Sequence, residues 1–60
     1  MRIREALPPE RKVTVAVYAQ DCTKYMLIYK GSSDNPDKIF DSEYDHVSPG
    51  SGCYMFFLDE

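Results

Sequence analysis

The stretch Asn35-Pro36-Asp37-Lys38-Ile39-Phe40-Asp41-Ser42-Glu43-Tyr44-Asp45-His46-Val47 decides how the chain is read. Asn35 is placed to cap a helix, and Pro36 would occupy its first position, where the missing N–H costs nothing. Ile39, Phe40, Tyr44 and Val47 then recur at helical spacing and would line one buried face. Asp37, Asp41 and Asp45 recur every four residues, so a helix would stand them in one row, one per turn, with Asp34 just ahead. Like charges at that spacing cost an isolated helix roughly 0.2–0.5 kcal/mol per pair. A helix over this stretch is the expectation, with Glu43 beside the acidic row.

Working outward toward the N-terminus, Lys12 to Gln20 alternates cleanly. Val13, Val15, Val17 and Ala19 share one face, and Thr14, Ala16, Tyr18 and Gln20 share the other, as in a β-strand. Asp21-Cys22-Thr23-Lys24 is short enough to turn a hairpin into a second strand, Tyr25 to Lys30, which Gly31 would end. Residues 1–11 read as a polar arm, in which Pro8-Pro9 stops any short helix over Arg2–Leu7. Residues 12–60 then form one small domain.

Toward the C-terminus, Ser48-Pro49-Gly50-Ser51-Gly52 reads as a flexible loop. It carries two glycines but no following lysine, so it does not make a phosphate-binding loop. Cys53 to Leu58 is a strand with apolar residues on both faces, and Asp59-Glu60 closes the sequence in charge. The expected fold is α+β, in the order β-β-α-β, with a three-stranded antiparallel sheet and one helix.

Composition narrows the function. Sixty residues bury only about 60% of their unfolded surface, so such a chain often needs a staple or a partner. Cys22 and Cys53 are expected to be free, largely buried thiols, because no signal peptide directs them to an oxidising compartment. One histidine and two distant cysteines lack zinc-site spacing, and Asp34-Asn35-Pro36-Asp37 lacks the glycine and closing glutamate of a calcium loop. No cofactor or metal is expected. No apolar run reaches membrane-spanning length, which points to a soluble, cytoplasmic protein.

The net charge of −3 is unevenly divided: +3 over residues 1–31 and −6 over residues 32–60. An acidic surface repels nucleic acid and attracts basic protein surfaces, so the expected partner is a protein rather than DNA or RNA. The acidic row is either a solvated face or an imitation of a line of phosphates. His46 has Asp45 and Ser48 nearby in sequence, yet a triad needs convergence from a scaffold and an oxyanion hole. The chain is not expected to be an enzyme.

One helix covers only one face of a three-stranded sheet, and the second and third strands are apolar on both faces. A homodimer, packed sheet on sheet or joined edge to edge, would cover the remainder. Tyr25, Tyr29, Tyr54 and Phe56 are assigned to that seam, the tyrosines because each can bury a ring and keep its hydroxyl at the rim. Tyr18 fits there as well.

Val13-Thr14 in the first strand, Tyr29-Lys30-Gly31 at the end of the second, and Phe40-Asp41-Ser42-Glu43-Tyr44 follow in that order. In this order the chain, over Val13 to Leu58, resembles the small phage-encoded homodimeric inhibitors of uracil-DNA glycosylase. Their pattern of an aromatic, an acid, two variable residues and a tyrosine is matched by Phe40, Asp41 and Tyr44. The loop after Gly31 is longer than the family's, the acid is Asp rather than Glu, and the Pro49–Gly52 loop has no counterpart. The resemblance implies that Phe40 helps form an apolar pocket at the dimer seam for a protruding leucine of the enzyme. Asp41 would stand for a phosphate, and Tyr44 would support the pocket wall. The expected function is inhibition of the host's uracil-DNA glycosylase by DNA mimicry, with Phe40, Asp41, Tyr44, Asp37, Asp45 and Glu43 in contact with the enzyme. The alternatives are an acidic phage inhibitor of another nucleic-acid enzyme, such as a restriction, recombination or CRISPR effector, or a non-catalytic assembly module.

Overall fold

The computed structural model describes residues 1–58; Asp59 and Glu60, and with them the charged close of the sequence, lie outside the described residues. The fold is α+β. One short helix, α1 (Ile3–Ala6), precedes strands β1 (Thr14–Asp21) and β2 (Lys24–Ser32), a 3-10 turn (Lys38–Asp41), β3 (His46–Pro49) and β4 (Cys53–Leu58). The strands make one sheet in the order β2-β1-β4-β3. β1 pairs antiparallel with β2 and β3 antiparallel with β4, while β1 and β4 run parallel at the centre. The sheet is therefore four-stranded and mixed, not three-stranded and antiparallel.

The β1–β2 hairpin forms as its alternation predicts. Asp21 pairs with Lys24, so the turn is two residues, Cys22 and Thr23. Such turns take positive φ at their first position, and Cys22 has φ 58°. A bulge interrupts the ladder: Val17 faces Tyr29 and Tyr18 faces Leu27, which leaves Ile28 without a partner on β1. β2 continues past Gly31 to Ser32. A Cβ at Gly31 would run into the Tyr29 ring, so the missing side chain is what lets that ring lie there.

The expected helix over residues 36–47 is absent. Asp37, not Asn35, is the cap: its carboxylate accepts from the Ile39 N–H at 3.0 Å, but only one 3-10 turn follows. Ser42 is already extended, with φ −73° and ψ 146°. Two forces favour this outcome. A helix would bring Asp37, Asp41 and Asp45 together, and an extended exit relieves that repulsion. His46–Pro49 also gains a full ladder against β4, with Val47 opposite Phe56. The residues expected on the buried helical face still pack on the core: Phe40 is buried, and Ile39, Tyr44 and Val47 pack against it partly buried.

The segment Ser48 to Gly52 is a tight hairpin rather than a loose loop. Ser48 and Pro49 belong to β3, and the Gly50 N–H donates to the Cys53 carbonyl at 2.9 Å. Gly52 has φ +103°, a conformation that side-chain-bearing residues rarely adopt.

The core lies on one face of the sheet, where Ile3, Val13, Val15, Val17, Phe40 and Phe56 are buried together. Residues 1–7 are thus not a free arm. Ile3 is fully buried, its N–H donates to the Ser42 carbonyl at 3.0 Å, and the Tyr44 N–H donates to the Met1 carbonyl at 3.2 Å. Within α1, the Glu5 carboxylate accepts from the Arg2 N–H at 2.8 Å, and the helix ends before Pro8 as expected. Both cysteines are free, but both are exposed, contrary to the expected burial. Cys53 pairs with Thr14 at one end of β1 and Cys22 turns the hairpin at the other, so roughly 23 Å of strand separates them.

Candidate protein-binding surface

Asp37, Asp41 and Asp45 of the expected row, Asp34 ahead of it and Glu43 beside it are all exposed, but they do not stand one per helical turn. Three have local partners. Asp34 accepts from the Ser32 hydroxyl at 2.6 Å, Asp37 caps the 3-10 turn, and Asp41 pairs with the Arg4 guanidinium at 2.6 Å. Asp41 carries the phosphate-mimic role in the motif resemblance, so its charge is partly spent within the chain. Its ion pair is more than half exposed on both sides and contributes at most about 1 kcal/mol.

Glu43 and Asp45 are less committed. Among the described residues Glu43 reaches only the amino terminus, at 4.0 Å, and its side chain is 77% exposed. The Asp45 N–H donates to the Phe57 carbonyl at 2.9 Å, and among the described residues its carboxylate has no ion-pair partner. The two flank Tyr44, whose ring packs edge-on against Phe56 at 5.0 Å. The acidic margin thus lies in the segment that leads from the 3-10 turn into β3, the edge strand of the sheet.

The apolar residues named with this margin face inward. Phe40 is 3% exposed and meets the Tyr29 ring edge-on at 5.8 Å, so it offers little of its own surface to a partner. Tyr44 is half-buried, and its hydroxyl lies 3.4 Å from the Met1 sulfur. Of the residues assigned to a dimer seam, Phe56 is fully buried within the chain and belongs to the core, while Tyr29 and Tyr54 pack partly buried against it. Only Tyr25 stands exposed.

The opposite face of the sheet carries an aromatic row in which Tyr18 and Tyr25, both expected at a seam, gather around Phe57, which the sequence pattern did not single out. Phe57 stacks on Tyr18 at 5.3 Å, takes the Tyr25 ring edge-on at 5.0 Å and lies 5.5 Å from the His46 ring. The alternation within Cys53–Leu58 separated Phe57 from Phe56, but it could not say which of them the core would take. His46 therefore sits on an open sheet face beside Phe57.

An open cleft of about 500 Å³ lies between the N-terminal segment and residues 33–40, with Leu7, Pro9 and Phe40 among its walls. Arg4, Arg11 and Lys12 line it together with Glu10 and Asp34, and Arg4 is already paired with Asp41. Among the described residues, no three His, Cys, Asp or Glu side chains are grouped to hold a metal ion. No helix among the described residues is long and apolar enough to cross a membrane. Compared with family models, curated proteins and solved structures, the chain matches none.

Proposed function

We propose that this protein is a non-enzymatic inhibitor that binds the nucleic-acid-binding surface of an enzyme, with the host's uracil-DNA glycosylase as the target named by the motif resemblance. The observation that carries the reading is the confinement of five exposed carboxylates to residues 34–45, with Glu43 and Asp45 the least engaged by the chain itself. Enzymes that flip a base hold the flanking phosphates with cationic side chains and backbone N–H groups. A competitor that presents carboxylates to those groups excludes DNA. The contacts would come from the margin at Glu43 and Asp45, with Asp37 and Asp41 beside it, and such a protein would act in the cytoplasm of a phage-infected bacterium.

The test is cleavage of a uracil-containing single-stranded oligonucleotide by uracil-DNA glycosylase at physiological salt, where weak non-specific charge effects are screened. Wild-type protein is expected to block cleavage at a fixed ratio. The double variant Glu43→Lys/Asp45→Lys should raise the concentration needed by more than about tenfold, since two opposed charges cost over 1.4 kcal/mol. Glu10→Lys, an exposed acid outside the margin, is the control. Wild-type potency in the double variant removes the margin from the interaction, and no inhibition by wild type removes the glycosylase; a panel of other nucleic-acid enzymes then tests the wider reading.

A second reading, an assembly module, is favoured by β2, where Tyr25, Met26, Leu27 and Ile28 are each about half exposed. It requires the acidic margin to be dispensable and β2 to be the sensitive element.

A further inference from the structure

The two edges of the sheet are finished differently. β3 is four residues long, carries Pro49, and its lead-in at Ser42–Tyr44 is bonded by Met1 and Ile3. Short length, proline and a covering segment all protect an edge from further pairing. β2 lacks these three. It runs nine residues without proline, and among the described residues its backbone from Lys24 to Lys30 has no backbone partner beyond β1. Tyr25, Met26, Leu27 and Ile28 are each about half exposed. The register with β1 sets Tyr25, Leu27 and Lys30 on the face of Tyr18, and Lys24 and Met26 on the face of Ala19. Apolar exposure and positive charge are thus split between the faces. A partner lying flat on one face would reach one lysine; a strand added at the edge reaches both.

Charge says what that strand should be. β2 carries Lys24 and Lys30, both exposed, and no carboxylate. Asp21 faces Lys24 across the hairpin, yet among the described residues neither lysine joins an ion pair. Lysine on an edge discourages pairing with a neutral or basic strand, a second copy included, and leaves the edge open to an acidic one. We propose that β2 is a docking edge for an extended, acidic segment of a partner protein, which adds to the sheet beside it. From Lys24 to Lys30 the strand spans roughly 20 Å. The segment is therefore about seven residues long, with a carboxylate near each end and apolar residues between them beside Tyr25, Met26 and Leu27. The bulge at Ile28 breaks the ladder, so backbone pairing runs along Lys24 to Leu27 and the Lys30 side chain reaches the far carboxylate. The acidic margin does not oppose such a partner. It leads into β3, three strand spacings or roughly 14 Å away, which exceeds the screening length at physiological salt. The inference is independent of the inhibitor reading and gives a partner chemistry to the surface that the assembly reading invokes.

The probe is a synthetic seven-residue peptide of alternating valine and threonine with glutamate at both ends. It is titrated to about 1 mM into the isotope-labelled full chain, and backbone amide shifts are followed by NMR. Saturable binding is expected, with shifts centred on residues 24–27 and a dissociation constant on the order of 100 µM, as suits a contact below standard interface size. The same peptide with lysine at both ends should bind at least about tenfold more weakly. Lys24→Glu/Lys30→Glu should reverse that preference with an unchanged circular dichroism spectrum, since both positions are exposed. No binding of the acidic peptide, equal binding of the two peptides, or shifts centred on β3 overturns the proposal. So does an acidic preference that survives in the double variant. An acidic peptide with its backbone amides methylated should not bind; if it binds like the unmodified one, charge alone holds it and the edge takes no strand.

Discussion

Cys22 holds φ 58° at the first position of a two-residue turn, a region that side-chain-bearing residues enter at a cost of roughly 1–2 kcal/mol. Glycine enters it freely but loses more chain entropy on folding, which offsets part of the gain. Cys22→Gly is therefore expected to stabilise the protein by up to about 1 kcal/mol, and Cys22→Val to destabilise it. Urea denaturation under reducing conditions measures both; equal midpoints for the two variants would mean that the turn is not held in this conformation. At this scale the sequence was informative about burial. Val13, Val15, Val17 and Phe40 are where their periodicity places them. It was less informative about the cysteines, because a small apolar residue fits a turn and a strand end as well as a core.

Among elements, the helix expected over residues 36–47 shows where periodicity stops deciding. Ile39, Phe40, Tyr44 and Val47 satisfy a helical face, but they equally satisfy a 3-10 turn followed by a strand, because both put those residues on the core. A short apolar pattern does not separate the two, and here the ladder with β4 does. Pro49 pointed away from a strand, yet an edge tolerates proline. The N-terminal segment reads as a polar arm in which Pro8-Pro9 would stop any helix; neither the short helix α1 nor the burial of Ile3 is separable from that pattern. Ile3→Val removes one methylene at a fully buried site and should cost about 0.5–1.5 kcal/mol. In a domain of this size that lowers the melting temperature by roughly 4–8 °C per kcal/mol. An unchanged melting temperature would mean that residues 1–7 are a free tail in solution.

For the whole molecule, the apolar character of β4 on both faces fits a central strand as well as an uncovered face, and the structure has both: β4 lies inside the sheet, and Phe57 stands on the face away from the core. The parallel pairing of β1 with β4 had no local signature, since it joins residues almost forty positions apart. Charge segregation was legible from the outset, whereas the arrangement of the carboxylates depended on an element that did not form. The same topology sets the order of folding events. Two local hairpins, β1–β2 and β3–β4, can each close in microseconds, but they meet only along the β1–β4 ladder. Distant pairing of that kind slows folding, so the hairpins are expected to form early and their docking to limit the rate. In stopped-flow urea jumps, Cys22→Gly should then act on the refolding rate and Ile3→Val on the unfolding rate, because the segment holding Ile3 closes over a sheet already joined. If Ile3→Val slows refolding instead, the N-terminal residues belong to the nucleus, and the chain condenses around them before its hairpins meet.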